Sequence, residues 1–257
     1  MAKKLYPEES VQAIADAIRV KTGKTDKMTV GEMSGEIEGI DFDLWITSRG
    51  VKKISSMRTN IRSQFCCGIM TELEEVDIPY LTMLSIGYTF NYCEKLKKLN
   101  LPSLTDVQEY FVANSGLEEL ILPSLTSNKS FLTYGSKVKK CVLASIEELY
   151  QLTFYKSENL YFVDLPKCKS INYGEFCLCS ALKALLLRGS TVCTASSSYI
   201  FLKTPIASGT GYIYVPSALV DSYKTATNWT TYASQFRALE DYTVDGTIDG
   251  ELDENKI

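Results

Sequence analysis

The residues of this 257-residue chain with the chemistry to act as nucleophiles or metal ligands are eight cysteines: Cys66, Cys67, Cys93, Cys141, Cys168, Cys177, Cys179 and Cys193. The pairs Cys66-Cys67 and Cys177-x-Cys179 have the soft ligands that thiophilic metals prefer, but neither has the paired CxxC spacing of a structural zinc site. No second pair is placed to complete four ligands. Paired carboxylates such as Glu74-Glu75 could in principle share a proton for acid–base work. The chain has no histidine. That removes Ser-His-Asp and Cys-His catalysis and the commonest metal ligand together. Gly209-Thr-Gly211 is too short for a dinucleotide loop, and there is no GxxxxGK[ST]. No catalytic residue, cofactor or metal is therefore expected, and the question becomes what structure places these residues.

Internal periodicity answers it. Leu73-Glu-Glu-Val-Asp-Ile-Pro79, Leu96-Lys-Lys-Leu-Asn-Leu-Pro102 and Leu117-Glu-Glu-Leu-Ile-Leu-Pro123 share one pattern. Val138-Lys-Lys-Cys-Val-Leu-Ala144, Leu160-Tyr-Phe-Val-Asp-Leu-Pro166 and Leu182-Lys-Ala-Leu-Leu-Leu-Arg188 continue it. The starts are 23, 21, 21, 22 and 22 residues apart. A degenerate unit, Val51–Met57, precedes them, and another, Gly211–Pro216, follows after a longer spacer. Within a unit the fourth and sixth positions share a strand face, and the proline at the seventh ends the strand because it cannot donate to a ladder. The next apolar anchor is Leu81, Leu104, Leu125, Ile146 or Cys168.

An aromatic stands six residues before the first leucine, at Phe90, Phe111, Phe154 and Phe176, and a small residue halfway between, at Cys93, Asn114, Ser157 and Cys179. The phenylalanines are expected to fill the core between coils and the small residues to fit the tight return into the next strand. Cys141 and Cys168 take apolar positions, so most cysteines read as buried thiols acting as small apolar residues. The pairs Lys52-Lys53, Glu74-Glu75, Lys97-Lys98, Glu118-Glu119 and Lys139-Lys140 alternate in sign along the stack. Two readings stand: a charged docking strip, or a ladder that avoids like-charge stacking and fixes register.

The run Ile86-Gly-Tyr-Thr-Phe90-Asn-Tyr-Cys93-Glu-Lys-Leu96-Lys-Lys-Leu99-Asn-Leu101-Pro102 closely resembles the BspA-type leucine-rich repeat of bacterial surface proteins, with aromatic, cysteine and proline all in phase. The resemblance covers roughly residues 44–237, although Val138–Ala144 lacks the proline and Leu182–Arg188 has arginine there. It implies an α/β repeat fold: a right-handed solenoid with a parallel sheet of about seven to eight short strands. Residues 213–233 resemble the closing segment of the same proteins, a C-terminal helical cap in which Leu219, Val220 and Tyr223, then Trp229, Tyr232 and Phe236, cover the open end. Residues 238–257 form an acidic tail.

Residues 1–43 read as an N-terminal helical hairpin: Val11, Ile14, Ala15 and Ile18 make one stripe, Gly23–Lys27 breaks it, and Thr29-Val-Gly-Glu32 has capping-box spacing. Its wording, Ile14 to Asp26 followed by Met33, resembles a segment near the start of bacteriophage tail and other virion proteins. Two short helices bury too little alone, so they must dock on the solenoid or on another copy, a route to a homo-oligomer.

Hydrophobic content of 45% with 23% charged residues is that of a soluble globular protein. A net charge of -4 gives no basic face for nucleic acid. Met1-Ala-Lys-Lys begins no apolar run, so no secretory signal is expected, and Leu185-Leu186-Leu187 is too short to span a bilayer. What remains is surface. The outward column on the strand side, taken as the concave face, is Asp77, Asn100, Ile121, Val142, Asp164 and Leu186, with Phe162 beside it. Its apolar members either meet a protein or cell-surface ligand or are covered by the chain itself. Three functions compete: a non-catalytic phage or prophage tail-associated virion protein, a bacterial surface adhesin of the BspA kind, and, distantly, a hydrolase.

Overall fold

The computed structural model describes residues 51–55 and 69–242 of the chain, all within one compact unit, Leu44–Ile257. The hairpin expected over residues 1–43 lies outside the described residues, as does the tail from 243 onward.

Each repeat contributes a three-residue strand centred on its fourth-position apolar residue. These are β1 (Lys53–Ser55), β2 (Glu75–Asp77), β3 (Lys98–Asn100), β4 (Glu119–Ile121), β5 (Lys140–Val142), β7 (Phe162–Asp164) and β9 (Ala184–Leu186). β11 (Tyr212–Val215) and β12 (Phe236–Ala238) complete the same side. All pair in parallel, one rung per coil, so Leu120, Cys141, Val163, Leu185 and Ile213 fall in one inward column. Every member of that column is buried, Cys141 included.

The expected single sheet of seven to eight strands is instead two. One has the order β1-β2-β3 and the other β12-β11-β9-β7-β5-β4. The seam between β3 and β4 falls at the first 21-residue spacing. The turn residue Asn114 stands three positions before Leu117, where Tyr92 stands four before Leu96. The short cut runs through Gly116, whose N–H donates to the Cys93 carbonyl at 3.0 Å. A Cβ there would lie 1.9 Å from the Glu94 carbonyl oxygen, so only glycine permits the approach.

A second parallel ladder, unanticipated from the sequence, runs beyond the proline corner. It contains β6 (Glu148–Leu149), β8 (Ser170–Ile171) and β10 (Thr194–Ala195) in the order β10-β8-β6. Single-residue bridges Met83–Asp106–Ser127 extend the same geometry into the earlier coils. The anchors Leu81, Leu104, Leu125, Ile146 and Cys168 stand behind it, all buried.

The third side of each coil is a run of turns. Two positions per coil adopt positive φ: Tyr88, Tyr110, Phe131, Leu152 and Gly174 in one column, and Tyr92, Asn114, Gly135, Lys156, Leu178 and Lys203 in the other. Hydrogen bonds from each coil to the next hold them, such as Phe90 N–H to the Phe111 carbonyl at 2.8 Å and Phe154 N–H to the Glu175 carbonyl at 3.1 Å.

This ladder corrects two sequence expectations. Phe90, Val112, Thr133, Phe154, Phe176 and Phe201 are the equivalent positions, so Phe111 stands one residue out of phase although it too is buried. The small residue of each return is Cys93, Ser115, Ser136, Ser157, Cys179 or Thr204, each buried and each donating its N–H three residues back. Asn114 is not one of them; it occupies the left-handed position beside Ser115. The phenylalanines do fill the space between coils: Phe154 and Phe176 stack at 5.4 Å, and Phe176 and Phe201 at 5.2 Å.

Past the last repeat come a short helix α1 (Pro205–Ser208), β11, a second short helix α2 (Val220–Thr225) and 3-10 turns at Thr230–Gln235 and Leu239–Asp241. Tyr223, Trp229, Tyr232 and Phe236 are buried here. Phe236 sits on β12 rather than in a helix, and residues 238–242, expected in the tail, are built into β12 and the last turn.

Candidate functional site

The outward side chains of the strands form three columns. Those nearest the entering turn are ionic. Lys52 pairs with Glu74 at 3.0 Å and Lys53 with Glu75 at 2.8 Å. Lys139 pairs with Glu118 at 3.3 Å and Lys140 with Glu119 at 3.7 Å. The hydrogen bonds that Lys52 and Lys53 donate to Glu74 and Glu75 raise the pKa of both ammonium groups. These side chains neutralise each other along the stack, which supports the ladder reading over a free charged strip.

The column that sequence reasoning selected for a partner behaves differently at its two ends. Asp77 and Asn100 are in register and hydrogen-bonded, the amide donating at 2.8 Å. Ile121 is 46% exposed; its neighbour Val142 is half-buried. Asp164 accepts from the Arg188 guanidinium at 3.0 and 3.1 Å. Leu186 and Phe162 are not on the solvent face at all. With Ala184 and Tyr214 they form a second buried apolar cluster, against which Val142, Tyr161, Tyr212, Leu239 and Tyr242 pack. Of the two readings left open for these side chains, cover rather than a free face describes Phe162 and Leu186. Leu239 and Tyr242, from the turn following β12, lie over them, so part of the cover is the chain itself. No local signal in the repeats could have revealed this, because the covering residues lie more than 50 positions downstream.

The turn side carries a surface that sequence reasoning missed. Tyr88 stacks on Tyr110 at 4.7 Å, and Tyr110 on Phe131 at 4.8 Å. Tyr134 meets Phe131 edge-on at 5.9 Å and stacks on Tyr155 at 6.5 Å. Tyr88 and Tyr92 are exposed; Tyr110, Phe131, Tyr134 and Tyr155 are half-buried. Bulky residues with positive φ are costly, and such strain persists only where the surroundings enforce it. Tyr88 at 61°, Tyr92 at 58°, Tyr110 at 55° and Phe131 at 63° are held by the hydrogen bonds between coils. The signal was present in the sequence as the 22- and 21-residue spacing of Tyr88, Tyr110 and Phe131, but it was hidden by the one-residue phase error at Phe111.

The described thiols lie in the interior: Cys93, Cys141, Cys168, Cys177, Cys179 and Cys193 are all buried, and burial pushes the Cys141 and Cys179 thiols well up from the usual range. Among the described residues no group of three or more acidic, cysteine or histidine side chains is placed to hold a metal ion. No helix among them is long and apolar enough to cross a membrane. Among the described residues one acid is in the core: Glu175, whose Oε2 accepts from the Thr153 N–H at 2.8 Å. Burial raises its pKa well above the ordinary carboxyl value.

Residues 59–183 match, in six copies, the family model described as BspA type leucine rich repeat region. The match is narrower than the 44–237 expected from the sequence, because it omits the degenerate first unit, most of the Leu182 unit and the closing segment. No curated protein matches the chain.

Proposed function

We propose that this chain is a non-catalytic binding protein of the surface-displayed kind, and that its partner is a protein docking on the aromatic turn side. The observation that carries this reading is the stacked run Tyr88–Tyr110–Phe131 with Tyr134 and Tyr155 beside it. Tyrosine and phenylalanine are the anchors that dominate protein interfaces, since they offer large contact area at low entropic cost. Here the left-handed turns and the bonds between coils have already fixed their backbone. The ring faces of Tyr110 are taken up by Tyr88 and Phe131, so no open ring face remains there. That suits a protein surface better than a sugar ring, which needs an open aromatic face.

Of the two owners, the bacterial surface adhesin is adopted, since the repeat itself points that way. The virion reading rests on the Ile14–Asp26 segment, outside the described residues, and on the expectation of no secretory signal; tail and lysis genes beside the coding sequence would reinstate it. On the strand side Asp77, Asn100, Ile121 and Val142 form a lesser contact region.

The test is binding of fluorescent protein to host cells pretreated with protease or with periodate. Protease should abolish binding and periodate leave it, while Tyr110→Ala with Tyr155→Ala should weaken it at least tenfold without unfolding the chain. Binding that survives both substitutions, or that periodate removes, overturns the assignment of the surface.

A further inference from the structure

The anchor column behind the second ladder is leucine or isoleucine in four successive coils, Leu81, Leu104, Leu125 and Ile146, and becomes Cys168 in the fifth. The next coil places Cys193 against it, with the two sulfur atoms 3.9 Å apart. Packing alone does not call for this, because an aliphatic side chain serves the same column everywhere else. The Cys177 Sγ and Cys179 Sγ differ, each contacting a backbone carbonyl.

We propose that Cys168 and Cys193 are a disulfide-forming pair, a covalent staple between the last two coils. The register Ser170↔Thr194 places Cys193 one residue on from the position directly opposite Cys168. A rung spacing of about 4.8 Å combined with a rise of about 3.3 Å puts their Cα atoms about 5.8 Å apart. That is the commonest separation for a disulfide, roughly 5.5–6 Å. Only side-chain rotation is then needed to close the sulfur–sulfur gap.

The step needs a two-electron oxidant, and a low-molecular-weight disulfide such as oxidised glutathione supplies it. One cysteine thiolate attacks a sulfur of that disulfide, releasing one small thiolate and leaving a mixed disulfide. The second cysteine thiolate attacks the protein sulfur of the mixed disulfide and expels the second small thiolate. Two protein thiols and one small disulfide become one protein disulfide and two small thiols, with both protein protons passing to the leaving thiolates. The sulfur contact polarises the pair so that Cys168 is the more readily ionised partner.

The staple sits where the closing segment is fastened. The Cys193 N–H donates to the Tyr223 hydroxyl at 2.8 Å, and the Trp229 indole N–H donates to the Cys193 carbonyl at 2.7 Å. Oxidation would therefore tie the segment that closes the stack to the coil beneath it.

The experiment is to incubate the full chain with oxidised glutathione, alkylate under denaturing conditions and map peptides without reduction. A Cys168–Cys193 linked peptide is expected, two of the eight thiols should become unavailable to alkylation from this link, and the melting temperature should rise and return with dithiothreitol. The Cys193→Val chain should lose the shift, whereas Cys141→Val should keep it. Glutathione adducts at these thiols without the link, or either cysteine joined elsewhere, overturns the proposal. Because the linked peptide is read in the unmutated chain, a variant that fails to fold does not rescue it.

Discussion

Glu175 lies fully buried between coils, one of its oxygens accepting the Thr153 N–H at 2.8 Å and the other without a hydrogen-bond partner among the described residues. Burial outweighs the Thr153 hydrogen bonds, and nearby Cys168 adds a smaller push in the same direction, so the carboxyl holds its proton well above the ordinary range. The folded state thus binds a proton that the unfolded chain has released. Stability is highest below the unfolded pKa of about 4.3 and falls as pH rises toward the folded value. Glu175→Gln removes the titrating group at nearly constant volume. Denaturation midpoints taken from pH 5 to pH 8 should favour the glutamine chain by a margin that widens with pH. Parallel curves would show that Glu175 is not the titrating group.

Phe176 is stacked on both sides, by Phe154 and by Phe201. Phe176→Ala opens a cavity in the middle of that stack and should cost about 3–5 kcal/mol. In a linear array, where each coil contacts only its neighbours, the loss should appear first as opening of the C-terminal coils. Hydrogen exchange would check this: amides near Phe154 and Phe201 should lose protection before those near Val76.

Gly116→Ala places a methyl group within 1.9 Å of the Glu94 carbonyl oxygen, a backbone atom that cannot step aside cheaply. The coils must separate at the seam between β3 and β4, at a cost of about 1–3 kcal/mol. A urea titration measures it; an unchanged midpoint would mean that the seam is looser than this packing.

The ionic column predicts a salt response. In the double substitution Glu118→Lys with Glu119→Lys, the new ammonium groups stand beside Lys139 and Lys140 in place of the pairs now at 3.3 and 3.7 Å. Stability should fall by on the order of 1 kcal/mol at low salt, since like charges directly across a rung repel. Most of the loss should disappear at 1 M salt, where the screening length is about 3 Å. A loss insensitive to salt would point to packing instead.

Much of the fold was legible because its determinants are local. A three-residue strand needs one inward apolar residue, and that residue recurs from Val76 to Ile213 at a spacing the eye can follow. The turn side was less legible because Phe111 imitates the in-phase aromatic. Only the hydrogen bonds between coils show that Val112 holds the position of Phe90. Leu186 was misread for a different reason: its strand pattern is that of an outward residue, and nothing within its own repeat signals that Leu239 and Tyr242 cover it.

The repeat register, the inward column and the opposed charges on neighbouring rungs were therefore properties of the sequence itself, because each depends on residues one coil apart and on a fixed strand period. Tertiary structure decided which outward residues meet water, where the sheet is interrupted and which two cysteines meet. Those outcomes depend on distances between coils and on chain returning from far downstream. The cysteines show both halves: the burial of Cys93, Cys141, Cys168 and Cys179 followed from register, whereas the 3.9 Å approach of Cys168 and Cys193 needed the coils to be stacked.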